Sequence, residues 1–231
     1  MAGLIIIFIV FAILSFAVSS TLKRKFKKYA AIPLKNNLSG RDVAALMLRD
    51  NGINDVQITC VNGQLTDHYN PLNKTVNLSE AVYNGRSAAS TAIASHECGH
   101  AIQHAASYSL LKVRTALVPV QNASGRILNF IMLMSIFGGG FVLGTNWQTL
   151  LIVVIGCYLV LTLFSFITLP VEFDASKRAL SWIEQRGIVS SQEHEMAKDA
   201  LKWAAMTYVV AALGSLVTLF YFISIFLGGR D

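Results

Sequence analysis

The sequence predicts a mainly α-helical membrane protein with four transmembrane helices and a small cytoplasmic α+β domain. Of its 231 residues, 54% are hydrophobic and only 14% are charged, and the mean hydropathy is +0.52. A soluble domain carries about 25% charged residues, so this composition excludes a purely soluble enzyme. Three segments contain no Asp, Glu, Lys or Arg, namely residues 1–22, 127–171 and 203–229.

The lengths of these uncharged segments set the number of spans. A helix rises about 1.5 Å per residue, and a membrane's hydrocarbon layer is about 30 Å thick, so one crossing takes about 20 residues. The first and last segments suffice for one crossing each, whereas the middle segment suffices for two with a turn at 144–146. We therefore predict transmembrane helices at 2–22, 127–145, 148–169 and 204–228, and polar segments at 23–126 and 170–202.

The basic residues predict the orientation. A cleaved signal peptide is an alternative for residues 1–22, because Ala17-Val18-Ser19 resembles a cleavage site. However, a secretory signal has basic residues before its apolar core, whereas here five of them follow it between positions 23 and 28. An uncleaved anchor with its amino end outside places both polar segments, which hold 18 of the 19 Lys and Arg residues, in the cytoplasm of a bacterial cell.

The charged residues indicate which partners the chain can bind, and the cysteines indicate its redox compartment. The chain has a net charge of +6, and its juxtamembrane lysines can bind anionic lipid headgroups. Basic and aromatic residues are not interleaved in a pattern that would indicate nucleic-acid binding. Three cysteines without a C-x-x-C pair are typical of a reduced compartment.

Local patterns predict the elements of the polar segments. Ser39 and Asp42 form a capping signal for a helix over 40–51. Alternating apolar residues predict strands over 56–60 and 74–78, and an Ala-rich pattern predicts a helix over 87–106.

We expect Pro119 to break the element that follows, and Pro170 to stand in the first turn of a helix ending at Gly187. Another helix from Ser190 then continues into the last span.

One motif indicates a chemistry. Residues 96–100 read His-Glu-Cys-Gly-His, which is H-E-x-x-H on a predicted helix. The spacing of four places His96 and His100 on one face, where both can bind one Zn²⁺, and Glu97 can act as general base towards a water on that ion. The motif predicts one catalytic zinc per chain in a zincin-like domain.

A catalytic zinc needs a third protein ligand, and spacing alone does not select it. His104 lies on the same helix but about 12 Å along it from His96, too far for a straight helix to share one ion. Eight residues of the polar segments remain candidates: His68, Glu80, Glu172, Asp174, Glu184, Glu193, His194 and Glu195.

The chain resembles the YugP-like family of bacterial membrane-bound neutral zinc metallopeptidases. The resemblance covers most of the chain in order and rests on residues 65–69, 76–79, 96–103, 168–176 and 207–209. That family is similar to HtpX-type membrane gluzincins, in which a glutamate within E-x-x-x-D completes the zinc site. The resemblance implies Glu172 as the third ligand, with Ser176 standing where the motif has Asp.

Three further residues carry weaker assignments. Asp174 can take over the role of orienting a histidine from outside the ligand set. His68 can stabilise the oxyanion or bind substrate, although a turn histidine with a structural hydrogen bond explains it equally well. Tyr208 can act similarly near the membrane surface, although an interfacial anchor explains it better.

Together these observations predict a membrane-embedded zinc metalloendopeptidase that hydrolyses membrane or membrane-proximal proteins. In gluzincins an edge strand before the motif helix pairs with the extended substrate, and the resemblance implies that role for the strand at 74–78. Two alternatives remain: an intramembrane protease, and a zinc-binding membrane scaffold or chaperone without turnover.

The orientation yields a testable prediction. Asn36→Cys and Gln185→Cys, each in a background without native cysteines, should be shielded from a membrane-impermeant thiol reagent in intact cells. Asn146→Cys should be labelled, because it lies at the predicted external turn. Labelling of position 36 from outside would contradict the cytoplasmic placement.

Overall fold

A computed structural model describes residues 2–137 and 146–228 and shows a mainly helical protein with one small sheet. The helices are α1 (Ala2–Ala30), α2 (Gly40–Asp50), α3 (Glu80–Tyr83), α4 (Ala88–Ala105), α5 (Ser109–Phe137), α6 (Trp147–Gln185) and α7 (Ser191–Gly228). The strands are β1 (Gln57–Val61), β2 (His68–Asn70) and β3 (Thr75–Ser79). The chain divides into a helical unit (Met1–Phe16, Val113–Leu169 and Tyr208–Asp231) and a sheet unit (Ala17–Lys112 and Pro170–Thr207).

The helical unit carries the apolar ends of the long helices. Among the described residues, α1, α6 and α7 are long and apolar enough to cross a membrane. Large apolar side chains such as Phe8 and Phe16 are about three-quarters exposed, which is typical of a lipid-facing surface. A Cβ at Gly214 would lie 3.1 Å from the ring of Phe11, so α7 and α1 pack closely in this unit.

Three of the four predicted spans therefore coincide with helices that can cross a membrane. The predicted span at 127–145 is helical as far as 137. Positions 138–145, which include most of the predicted turn, lie outside the described residues. The four-span topology and the side of the membrane that the sheet unit occupies stay predictions.

Both proline predictions were wrong, because each proline lies inside a continuous helix. Pro119 is an interior residue of α5, and Pro170 is an interior residue of α6 rather than its first turn. A proline removes one backbone hydrogen bond from a helix. Helices of 29 and 39 residues keep enough other bonds to continue through it. The expected continuation of the last helix into its span was right, since α7 is unbroken from Ser191 to Gly228.

The sheet has the strand order β1-β3-β2, with β3 parallel to β1 and antiparallel to β2. Strands β1 and β3 match the two predicted strands within one residue. The expectation that residues 74–78 form a free edge was wrong, because β3 is the central strand and both of its sides are paired. The edge strand β2 was not predicted, since it has three residues and lies in a polar stretch without alternation.

Helix α4 is the centre of the sheet unit, and thirteen of its eighteen residues are buried. One side packs with the sheet and α2 through Cys98 and Ala101, and another packs with α6 and α7 through Ala92. Alanine and serine make this possible, because small side chains let neighbours approach on several sides. Ser87 caps the helix by accepting a hydrogen bond from the backbone N–H of Ser90 at 3.2 Å. Burial and capping thus fix the helix that carries the H-E-x-x-H motif.

Candidate metal centre

Two histidines and one glutamate converge within the sheet unit. His96 and His100 lie one turn apart on α4, with ring centroids 4.8 Å apart, and Glu172 lies on α6. The Nε2 atoms of His96 and His100 are 3.2 and 3.5 Å from Oε2 of Glu172. Among the residues that the structure describes, this is the one group of three or more His, Cys, Asp or Glu residues whose ligand atoms all lie within 4.8 Å of one another.

A close approach of two helix backbones makes this convergence possible. Gly99 lies between the histidines, and a Cβ at this position would be 2.6 Å from the carbonyl oxygen of Ala175. Real Cβ atoms do not come that close to a backbone atom, so only glycine fits unless the helices separate. Gly99, the fourth position of the motif, therefore sets the distance between α4 and the turn of α6 that carries Glu172.

The donor set fits a zinc ion. Ligands at about 2.0–2.2 Å from a tetrahedral ion lie about 3.3–3.6 Å from one another. The observed nitrogen-to-oxygen separations of 3.2 and 3.5 Å are close to this range. Two imidazoles and one carboxylate also form a typical catalytic zinc set, which leaves a fourth position open.

The electrostatics of the cluster also suit a cation. Burial of Glu172 by itself raises the pKa of its carboxyl, but hydrogen bonds from His100 and His96 outweigh burial and hold that pKa well below its usual range. Burial lowers the pKa of His100, but the hydrogen bond and charge of Glu172 outweigh it and raise that pKa. This environment favours the ionised form of Glu172, and a buried carboxylate in that form is stabilised by positive charge beside it.

Glu97, the predicted general base, is buried and contacts the edge strand. Its Oε2 atom accepts a hydrogen bond of 2.8 Å from the backbone N–H of Tyr69 in β2. The Tyr69 hydroxyl lies 2.7 Å from Nδ1 of His104, so Tyr69 connects the base to the end of α4. His104 thus has a partner away from the cluster, which agrees with its exclusion as a ligand.

The ring nitrogen of each histidine that faces away from Glu172, Nδ1, has an uncharged partner. Nδ1 of His96 lies 3.1 Å from the hydroxyl of Ser176, and Nδ1 of His100 lies 3.0 Å from the side-chain oxygen of Gln103. Asp174, which the sequence suggested for this role, instead accepts hydrogen bonds from Gln103 and Arg178. Sequence reasoning missed Gln103, although it lies one helical turn after His100 on the same face.

Most other candidate ligands have different surroundings. His68 is exposed and begins β2 rather than lying in a turn, and its Nδ1 atom lies 2.8 Å from the carbonyl oxygen of Thr66. Glu193 caps α7 by accepting a hydrogen bond from the backbone N–H of Ser190. His194 lies 3.8 Å from Glu184 and 3.9 Å from Glu195, so these three candidates are close to one another. Tyr208 belongs to the helical unit, so its suggested role stays a prediction.

Comparison with known proteins gives the class to which the site belongs. The family described as "Putative neutral zinc metallopeptidase" matches residues 4–227, so the chain belongs to this family. The chain is also 40% identical over 222 residues to a Bacillus subtilis (strain 168) protein named "Putative membrane protease YugP", and the match covers 94% of each chain. No solved structure matches the chain. The resemblance inferred from sequence motifs is thereby confirmed.

The contact at Gly99 yields a prediction. Gly99→Ala should lower zinc affinity at least about tenfold, because a Cβ forces α4 away from Ala175 and enlarges the ligand separation beyond that of a tetrahedral site. Zinc affinity can be measured by chelator competition on the purified full-length protein. Gly156→Ala is the matched control, since this α6 glycine has nothing within 4 Å of an added Cβ. Equal zinc affinities of the two variants would contradict the argument.

Proposed function

We propose that the protein is a zinc metalloendopeptidase of the gluzincin type, which hydrolyses peptide bonds of proteins at or near a membrane. The observation that carries the proposal is the convergence of His96, His100 and Glu172 beside the buried carboxylate of Glu97. Membership in a zinc metallopeptidase family supports the same reaction class. The three described helices that can cross a membrane would hold the chain at the bilayer and favour substrates located there.

Each residue of the site has a defined task in this proposal. His96 and His100 provide nitrogen ligands and Glu172 provides an oxygen ligand. The zinc ion, when bound, polarises the scissile carbonyl and lowers the pKa of a water to about 7. Glu97 follows His96 directly on α4, so its carboxylate can take the proton of the attacking water and pass it to the leaving amine.

Strand β2 supplies a place for the substrate backbone. It is an edge strand whose other side pairs with β3, and the Tyr69 N–H points away from β3 towards Glu97. An extended peptide that adds to this edge gains main-chain hydrogen bonds that do not depend on its sequence. The proposed role of an edge strand is therefore assigned to β2 rather than to residues 74–78.

The two alternative functions are an intramembrane protease and a zinc-binding scaffold without turnover. The motif helix α4 packs against the sheet and is not among the three described helices that can cross a membrane, so nothing favours an intramembrane protease. A zinc-binding scaffold would have the same ligands, and only turnover separates it from a peptidase.

Replacement of the base should therefore abolish turnover without loss of metal. Glu97→Gln retains an acceptor for the Tyr69 N–H but cannot take a proton, so hydrolysis of a casein-like substrate should fall by about two to four orders of magnitude. Zinc content should equal that of the wild type. Glu80→Gln, which alters an exposed glutamate of the same unit, is the control. Hydrolysis by Glu97→Gln within threefold of this control would exclude Glu97 as the base.

Replacement of the third ligand should have a different signature. Glu172→Ala should lose both zinc and activity, because only two histidines of the ligand set remain. Glu184→Ala removes a carboxylate of the same helix that is 70% exposed, and it should keep both. Metal content is measured by plasma mass spectrometry on purified protein. Full zinc occupancy in Glu172→Ala would assign the third ligand to another residue.

A further inference from the structure

We propose that Gln103 is the positioning residue of the metal centre, because it orients His100 and ties the Glu172-bearing helix to α4. The inference rests on the proposed metal centre and concerns the residues behind its ligands. Gln103 is completely buried, and both ends of its amide are engaged. A buried amide in a protein interior is retained only when its hydrogen bonds are satisfied.

The hydrogen-bond partners of Gln103 determine how its amide is oriented. Its Nε2 atom donates 2.8 Å bonds to the backbone carbonyl oxygen of Val171 and to Oδ2 of Asp174. A carbonyl and a carboxylate accept and cannot donate, so the amide nitrogen must face them. The amide oxygen then faces Nδ1 of His100, at 3.0 Å.

This orientation determines which nitrogen of His100 can bind a metal. An amide oxygen only accepts, so Nδ1 of His100 must carry the proton that it donates to Gln103. The lone pair of the neutral ring is then on Nε2, which is the atom directed at Glu172. A hydrogen bond of this kind also fixes the plane of the ring.

The nitrogen end of Gln103 acts on the other ligand helix. Val171 and Asp174 flank Glu172 on α6, so the two bonds from Gln103 hold the turn that presents the carboxylate. Asp174 is held in turn by Arg178, whose Nε atom donates to the same Oδ2 at 2.6 Å. One side chain of α4 therefore positions a ligand on its own helix and a ligand on α6.

Ser176, the partner of His96, does not impose the same constraint. Its hydroxyl can donate or accept, so the 3.1 Å contact with Nδ1 is compatible with either neutral tautomer of His96. Gln103 thus fixes the tautomer of His100, whereas Ser176 fixes none at His96. Loss of Gln103 should therefore harm metal binding more than loss of Ser176.

The test compares zinc affinities of full-length variants in detergent micelles by chelator competition. Gln103→Met keeps the length of the side chain but removes all three hydrogen bonds, and we expect a loss of zinc affinity of about 10–100-fold. Ser176→Ala and Asp174→Ala should show smaller losses, because a hydroxyl fixes no tautomer and the Val171 carbonyl still orients Gln103 in the absence of Asp174. The visible spectrum of the Co²⁺ form should change in Gln103→Met, since it reports ligand geometry.

Ser95→Ala is the matched control, because Ser95 is completely buried on the same helix and bonds only to carbonyls of its own preceding turn. Zinc affinity of Gln103→Met within threefold of this control, with an unchanged cobalt spectrum, would overturn the inference. Should metal-free Gln103→Met unfold at a lower temperature than the control, the visible spectrum of its Co²⁺ form decides, and a spectrum equal to that of the wild type would also overturn the inference. A wild type that binds zinc but hydrolyses no peptide would instead contradict the proposed function, while the affinities still test Gln103.

Discussion

The metal centre depends on how closely two helix backbones approach at Gly99 and Ala175. The candidate ligands come from chain segments more than seventy residues apart, so the separation of the two helices sets the distances between their ligand atoms. Helices usually pack with axes about 8–10 Å apart, at the lower end where small residues meet. The glycine inside the motif therefore has a structural task that is separate from the chemistry of its neighbours.

Close packing of α4 also brings polar groups into a dry environment, and the protein satisfies them through a connected network. His100, Gln103, Asp174 and Arg178 form a continuous chain of hydrogen bonds from the buried cluster to a partly exposed guanidinium. Such a network rigidifies its members when every group has a partner. The rigidity benefits a metal site, since a ligand that is already oriented loses little freedom when the ion binds.

The sequence predicted the elements with strong local signals and failed where tertiary contacts decide. The capping box of Ser39 and Asp42 and the Ala-rich pattern of α4 gave two helices nearly to the residue. The H-E-x-x-H spacing identified the pair His96 and His100 from local geometry alone. The convergence of Glu172 with these histidines was beyond spacing arguments, because eight candidates shared the same segments and only the resemblance singled out Glu172.

The failures have physical reasons of the same kind. Strand β2 exists because β3 pairs with it, and three residues carry no periodicity of their own. Pro119 and Pro170 are helix breakers by propensity, but long helices around them outweigh one lost hydrogen bond. The task of Gln103 was invisible in sequence, since it depends on Val171 and Asp174 lying opposite it on another helix.

The bond between the Tyr69 N–H and Glu97 has a consequence for the resting protein. Under the proposed function, that N–H lies on the edge available to an incoming peptide strand, and the carboxylate that it holds is the base. A peptide that pairs at Tyr69 competes with Glu97 for the same donor, so docking and release of the base become one event. The enzyme without substrate is thereby self-restrained. Folded surfaces that cannot add a strand leave that hydrogen bond in place, so the proposed function favours extended segments as substrates.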